Sequence, residues 1–150
     1  METDLAKILF SNGLAAVAFF FLFAIFWLIM WNFSIGITSI IFGWRRLAAK
    51  YPYTETVGDL GTKFSFQSVN VSVFGYYGFF IYVTIYDAGI KIVPMLPYRF
   101  MHPPIFLKWS DITGIRYSKL ISNMAFLKVG KKTIMIRGES AKYIRQLKKL

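Results

Sequence analysis

Residues 14–31 read LAAVAFFFLFAIFWLIMW, a stretch with no charge and no polar side chain apart from two indoles. A helix needs about 20 apolar residues to cross the hydrocarbon core of a bilayer. The uncharged run around this stretch is longer, from Ile8 to Trp44. A core helix of a soluble protein keeps a polar stripe on its outer face, and no such stripe is present. The sequence therefore predicts a transmembrane α-helix over about 13–33, preceded by an N-terminal flank at 1–12. A cleaved secretory signal would have a basic start, a shorter apolar region and a small-x-small cleavage site. Glu2 and Asp4 and the length of the run argue against that.

Three uses of the extra apolar length are compatible with the pattern. In the first, which we favour, residues 13–50 form a spanning helix followed by a juxtamembrane amphipathic extension. Ile37, Ile40, Ile41, Trp44, Leu47, Ala48 and Tyr51 fall at helical spacing on one face, suited to the headgroup layer. In the second, residues 14–42 form one long tilted helix. In the third, a helical hairpin turns at 32–36, but nothing there is charged enough to hold a turn among headgroups. Gly13, Ala16, Phe20, Ala24 and Trp27 recur at helical spacing and offer a face for a second helix, from a partner protein or another copy of the chain.

Charge divides the sequence in the same way. The net charge is +11 while 56% of residues are hydrophobic. All but one of the 18 Lys and Arg, and all but two of the 7 Asp and Glu, follow Trp44. The basic flank Arg45, Arg46 and Lys50 faces only Lys7 on the other side of the helix. By the positive-inside rule the C-terminal part is expected in the cytoplasm, behind a single pass through the inner (plasma) membrane. Arg45, Arg46, Lys50, Lys131 and Lys132 are the expected contacts to anionic membrane lipids, each worth about 1 kcal/mol near the surface.

Tyr51-Pro52 ends helical structure, and residues 51–150 change to a strand pattern. Candidate strands are 63–73, 79–86, 90–93, 105–109, 112–120, 124–129 and 133–136, rich in β-branched and aromatic residues. Asp87-Ala88-Gly89 and Gly130-Lys131-Lys132 read as hairpin turns. Pro94, Pro97, Pro103 and Pro104 make an irregular loop. Within it Tyr98, Arg99, Phe100, Met101 and His102 are candidates for contact with a partner or a membrane. A final helix at 140–150 places Tyr143, Ile144, Leu147 and Leu150 on one face. Being short, it needs a sheet to pack on. About seven antiparallel strands and one C-terminal helix describe a mainly-β, pleckstrin-homology-like (PH-like) or GRAM-like domain.

Two segments carry a family resemblance. Residues 96–112, LPYRFMHPPIFLKWSDI, resemble a pattern of small bacterial membrane proteins that reads Phe-Arg-x-x-His-Pro-Pro-Leu-x-Ile-Pro-Trp-Ser-x-Ile. Residues 43–52, GWRRLAAKYP, resemble the Gly-Trp-x-x-Leu-Ala-x-x-Tyr stretch that precedes it there. The Trp-Ser-x-Ile element is similar to one that opens a strand in bacterial PH-like domains, although Lys108 stands where those have proline. The resemblance implies a PH-like or GRAM-like fold at a bacterial inner membrane and brings no activity with it.

Catalysis is poorly supported, and no cofactor or metal is expected. The chain has no cysteine, which excludes disulfides and thiolate metal sites, and only one histidine. The acids Glu55, Asp59, Asp87, Asp111 and Glu139 mostly fit turns and caps. No nucleophile elbow, phosphate-binding glycine loop or metal-spaced cluster occurs. His102, in Met-His-Pro-Pro, is expected to fix its turn by hydrogen bonding. Nucleic acid fits the pI near 10, but no nucleic-acid motif accompanies the charge. The expected function is a non-enzymatic, membrane-anchored binding module, an accessory subunit or scaffold of a membrane protein complex. The alternatives are a sensor of anionic lipid and an immunity protein against a membrane-targeting toxin.

Overall fold

The computed structural model describes residues 2–54, 60–72 and 75–147, with side chains from residue 12 onward. Glu55, Asp59 and Leu150, named above, lie outside the described residues, as do the last residue of the predicted strand 63–73 and the last three of the predicted helix 140–150. The chain forms two compact units, one ending at Ile35 and one beginning at Gly36.

The first helix, α1 (Glu2–Ile41), runs for 40 residues without a break, roughly 60 Å at 1.5 Å per residue. It passes through 32–36 in helical conformation, so the hairpin alternative does not form. Among the described residues one segment, Asn12–Ile41, is long and apolar enough to cross a membrane. Every side chain from 12 to 34 is exposed. An apolar helix exposed on all sides calls for an apolar solvent rather than water. Within it Asn32 donates from Nδ2 to the Leu28 carbonyl at 2.8 Å. That bond satisfies the side chain within its own helix, as lipid would require.

In the second unit α1 ends at a chain reversal. Gly43 adopts φ +80, a left-handed conformation that suits glycine and stops a helix. A short helix, α2 (Trp44–Lys50), follows. Its apolar face was expected in the headgroup layer. Instead it lies in the core of the β domain, with Trp44, Leu47 and Ala48 all buried. The domain thus begins at Gly36 rather than at residue 51. Shape explains this: Trp44, Leu47 and Ala48 share one helix face and fill an apolar interior, whereas Arg45, Arg46 and Lys50 point outward.

Among the described residues seven strands follow: β1 (Thr62–Asn70), β2 (Tyr76–Tyr86), β3 (Gly89–Pro94), β4 (Ile105–Lys108), β5 (Ile112–Tyr117), β6 (Met124–Val129) and β7 (Lys132–Arg137). They form one antiparallel sheet in the order β4-β3-β2-β1-β7-β6-β5. Laid flat, its outer strands would stand roughly 29 Å apart at 4.8 Å per spacing. The connection between them, Trp109–Asp111, reaches roughly 14 Å at most. The sheet must therefore curl until its edges approach, which makes it nearly a barrel. Alternate side chains fill the interior, among them Val69, Ile81, Val83, Ile90, Ile92, Leu127, Ile134 and Ile136.

The last helix, α3 (Glu139–Leu147), packs Ala141 and Ile144 on the sheet. Tyr143 is half-buried against Phe64, whereas Leu147 is exposed. Its inward face therefore runs through Ala141 and not Leu147. Gln67 of β1 caps the helix. Its Oε1 accepts from the Ser140 amide at 3.0 Å and the Ser140 hydroxyl at 2.8 Å, pairing donors that a helix start leaves open.

The β3–β4 register supplies a test. A Cβ on Gly89 would collide with the backbone carbonyl of Leu107, while one on Gly114 would meet only the Lys128 Cβ at 3.9 Å. Gly89→Ala is expected to destabilise the domain by about 1–3 kcal/mol, as overpacking does. Gly114→Ala is expected to have little effect. Thermal unfolding of the full chain in detergent checks this, and equal melting temperatures would contradict the register.

Candidate functional site

Several of the side chains singled out from sequence gather around residues 36–50, where the second unit begins. At the centre is Trp44, fully enclosed. Its indole N–H donates to the Pro103 carbonyl at 2.8 Å. Its ring meets Tyr77 edge-on at 4.9 Å and His102 at 5.4 Å, and the last two meet each other at 5.2 Å. Ser39, also buried, donates from Oγ to the Met101 carbonyl at 2.8 Å. Ser72 donates from Oγ to the Phe42 carbonyl at 2.9 Å, satisfying an acceptor that the helix end leaves open. Two separate stretches of chain, at Ser72 and at Met101–Pro103, thus hold the end of α1 and the start of α2.

The protonation of His102 follows from its neighbours. Nδ1 lies 3.0 Å from the Tyr98 carbonyl, which can only accept, so Nδ1 carries the hydrogen. Nε2 is then free to accept from the Tyr77 hydroxyl at 3.2 Å. Burial lowers the imidazole pKa below its ordinary 6.5, against a smaller opposing effect of the Tyr98 carbonyl. Burial also pushes the Tyr77 hydroxyl up to about 12. A neutral imidazole with both nitrogens engaged is a latch for its turn. Of the set Tyr98, Arg99, Phe100, Met101 and His102, then, His102 faces inward and does not form part of a contact surface. Tyr98 is half-buried, with its ring 5.3 Å from Phe80. Arg99, Phe100 and Met101 are exposed.

The five expected lipid contacts come from two distant parts of the chain. Arg45, Arg46 and Lys50 are exposed on α2, and Lys131 and Lys132 on the β6–β7 turn. The fold brings these parts together. The Lys132 ammonium lies 3.6 Å from where a Cβ on Gly43 would stand, and that of Lys50 lies 3.7 Å from the same point on Gly130. Among the described residues the one ion pair is Lys142–Glu139, so no cation of this collar is paired with a described carboxylate. Other cations are folded onto rings: Lys91 over Tyr53 at 3.5 Å and Lys63 over Tyr82 at 4.1 Å. Gly13, Ala16, Phe20, Ala24 and Trp27 lie on the first unit, with no neighbour within 4 Å of a Cβ at Gly13.

Sequence reasoning missed two features. Trp44, Tyr77 and His102 carry no shared local signal, because they are far apart in the chain. A groove between α2 and the β2–β3 turn carries both signs of charge, with Lys50, Lys108, Asp87 and Asp111 beside Trp109. Thr54 and Leu60 also line it. Among the described residues no group of three or more His, Cys, Asp or Glu could hold a metal. No family model matches this chain, and comparison with curated proteins and with solved structures likewise gives no match.

His102 makes stability depend on pH. Its folded pKa lies below the unfolded value, so folding favours the neutral form. The contribution is complete above about 6.5 and is lost as pH falls from there through the folded pKa. The melting temperature of the full chain in detergent is expected to fall between pH 7.5 and 5. His102→Gln, which cannot titrate, is expected to flatten that fall. The same slope in both proteins would contradict the latch.

Proposed function

We propose that this protein is a non-enzymatic, membrane-anchored binding module whose basic collar lies against anionic headgroups. In this reading α1 crosses the plasma membrane once, and a PH-like domain sits on the cytoplasmic side. The module works as an accessory subunit or scaffold of a membrane protein complex. The observation that carries it is the convergence of Lys50 and Lys132 on the glycines Gly130 and Gly43, beside the end of the apolar helix. Five cations near a surface of anionic lipid, at about 1 kcal/mol each, would hold the domain there by several kcal/mol.

Further support is topological. A curled meander in the order β4-β3-β2-β1-β7-β6-β5, finished by a C-terminal helix, suits a PH-like or GRAM-like identity. The apolar length also suits a single pass. Asn12–Ile41 spans 30 residues, roughly 45 Å of helix against about 30 Å of hydrocarbon. Residues 36–41 belong to the second unit, which leaves about 36 Å, a fit with modest tilt.

The test uses the full chain in nanodiscs. The chain has no cysteine, so a spin label on Thr133→Cys, beside Lys132, is the only label attached. In anionic discs the label is expected to be shielded from an aqueous relaxation agent, with shielding lost at high salt and in Lys131→Glu/Lys132→Glu. Equal accessibility in neutral and anionic discs would contradict the headgroup contact. For the scaffold role, native mass in mild detergent is expected to exceed one chain. A lone monomer would remove that role and leave the headgroup contact standing.

A further inference from the structure

We infer that the tip of the β3–β4 loop, Leu96 with Phe100 and Met101, is a second membrane contact that inserts into the boundary between headgroups and acyl chains. The inference rests on the membrane attachment proposed above and adds a site to it. Leu96 is 74% exposed, Phe100 83% and Met101 37%. Beside them Phe80 is 51% exposed on β2 and touches the Tyr98 ring at 5.3 Å. Large apolar groups gathered in this way on a surface mark an interaction site rather than ordinary exposure.

Lipid is the occupant that the surroundings favour. The loop is tied to the first residues of its unit, where the chain arrives from the apolar helix. Ser39 bonds the Met101 carbonyl at 2.8 Å, and a Cβ on Gly36 would come within 2.7 Å of the Met101 Cε. The buried Trp44 indole bonds the Pro103 carbonyl at 2.8 Å and sets the base of the loop. The tip is thereby held near the residues through which its unit joins the apolar helix along the chain. Its charges also suit a leaflet. Arg99 is exposed between Tyr98 and Phe100, where a guanidinium can reach phosphates while its stem lies along apolar surface. Between Ala88 and Ser110 there is no acidic residue. Aromatic and aliphatic groups with an interleaved cation are the composition of segments that lie in the interface.

Leu120 provides the comparison. It is 97% exposed, yet it stands on the β5–β6 turn between Lys119 and Ile121, at the other end of β6 from the β6–β7 turn. Because the chain lacks cysteine, Phe100→Cys and Leu120→Cys each take a single fluorophore without disturbing the core. A third label on Leu22→Cys reports the helix itself. Each full-length variant is reconstituted into vesicles of phosphatidylcholine and phosphatidylglycerol. Quenching is read with acrylamide from water and with a doxyl group high on the acyl chain. The Phe100 label is expected to be quenched by the lipid-borne group. It should be about threefold less open to acrylamide than the Leu120 label, as befits a depth of about 5–10 Å. Identical behaviour of the Phe100 and Leu120 labels would overturn the inference. So would a Phe100 label shielded from acrylamide but untouched by the lipid-borne quencher, which would indicate a protein occupant. Failure of the Leu22 label to respond to that quencher would refute the membrane attachment itself, a separate result.

Discussion

The packing of residues 36–48 into the β domain is the constraint on which the rest depends. The side chains of 12–34 are exposed on every side and have no use for water, while the sheet that follows is a water-compatible shell around an aliphatic core. The last residues of α1, up to Ile41, belong to the second unit. Trp44 anchors the segment that follows. It occupies the core as any large buried residue would, and its one polar atom is paired with Pro103. Burial of an aromatic side chain of this size, with its ring contacts, contributes on the order of 3–5 kcal/mol by the measure of truncation. Ser39 and Ser72 then satisfy backbone acceptors on either side of it.

From that segment the other features of the second unit take their places. The β3–β4 loop cannot leave the helix end, because His102, Pro103 and Met101 are all tied to it or to Tyr77. The β6–β7 turn approaches α2 from another direction and adds its lysines to the arginines already there. The surface around the attachment point therefore combines an apolar tip with a basic collar. In the proposed function these do complementary work: apolar groups enter the interface while cations meet the phosphates.

Much of this was legible in the sequence, for definite reasons. The uncharged run announced α1, because few contexts other than lipid tolerate so many apolar residues in a row. The turn at 87–89, the glycine at 130 and the prolines at 94–104 marked out seven strands within a few residues of their observed ends. The reach of β2 back to Tyr76 escaped notice, since Gly75 and Gly78 read as breaks, and so did the end of β1 at Asn70, before Val71 and Ser72. The assignment of α2 failed for a more general reason. A helical apolar face looks the same whether its solvent is lipid or a protein interior, and only the shape of the sheet decides between them. The role of His102 in its turn could be read locally, but its partner Tyr77 could not. Nor could the meeting of Lys50 with Gly130, since both are products of the long-range strand order.

The central claim is that α1 is dissolved in lipid, and extraction of native membranes at alkaline pH tests it most directly. The account predicts that the full chain remains with the membrane pellet after carbonate treatment and is released only by detergent. Recovery of the chain in the aqueous supernatant would contradict it.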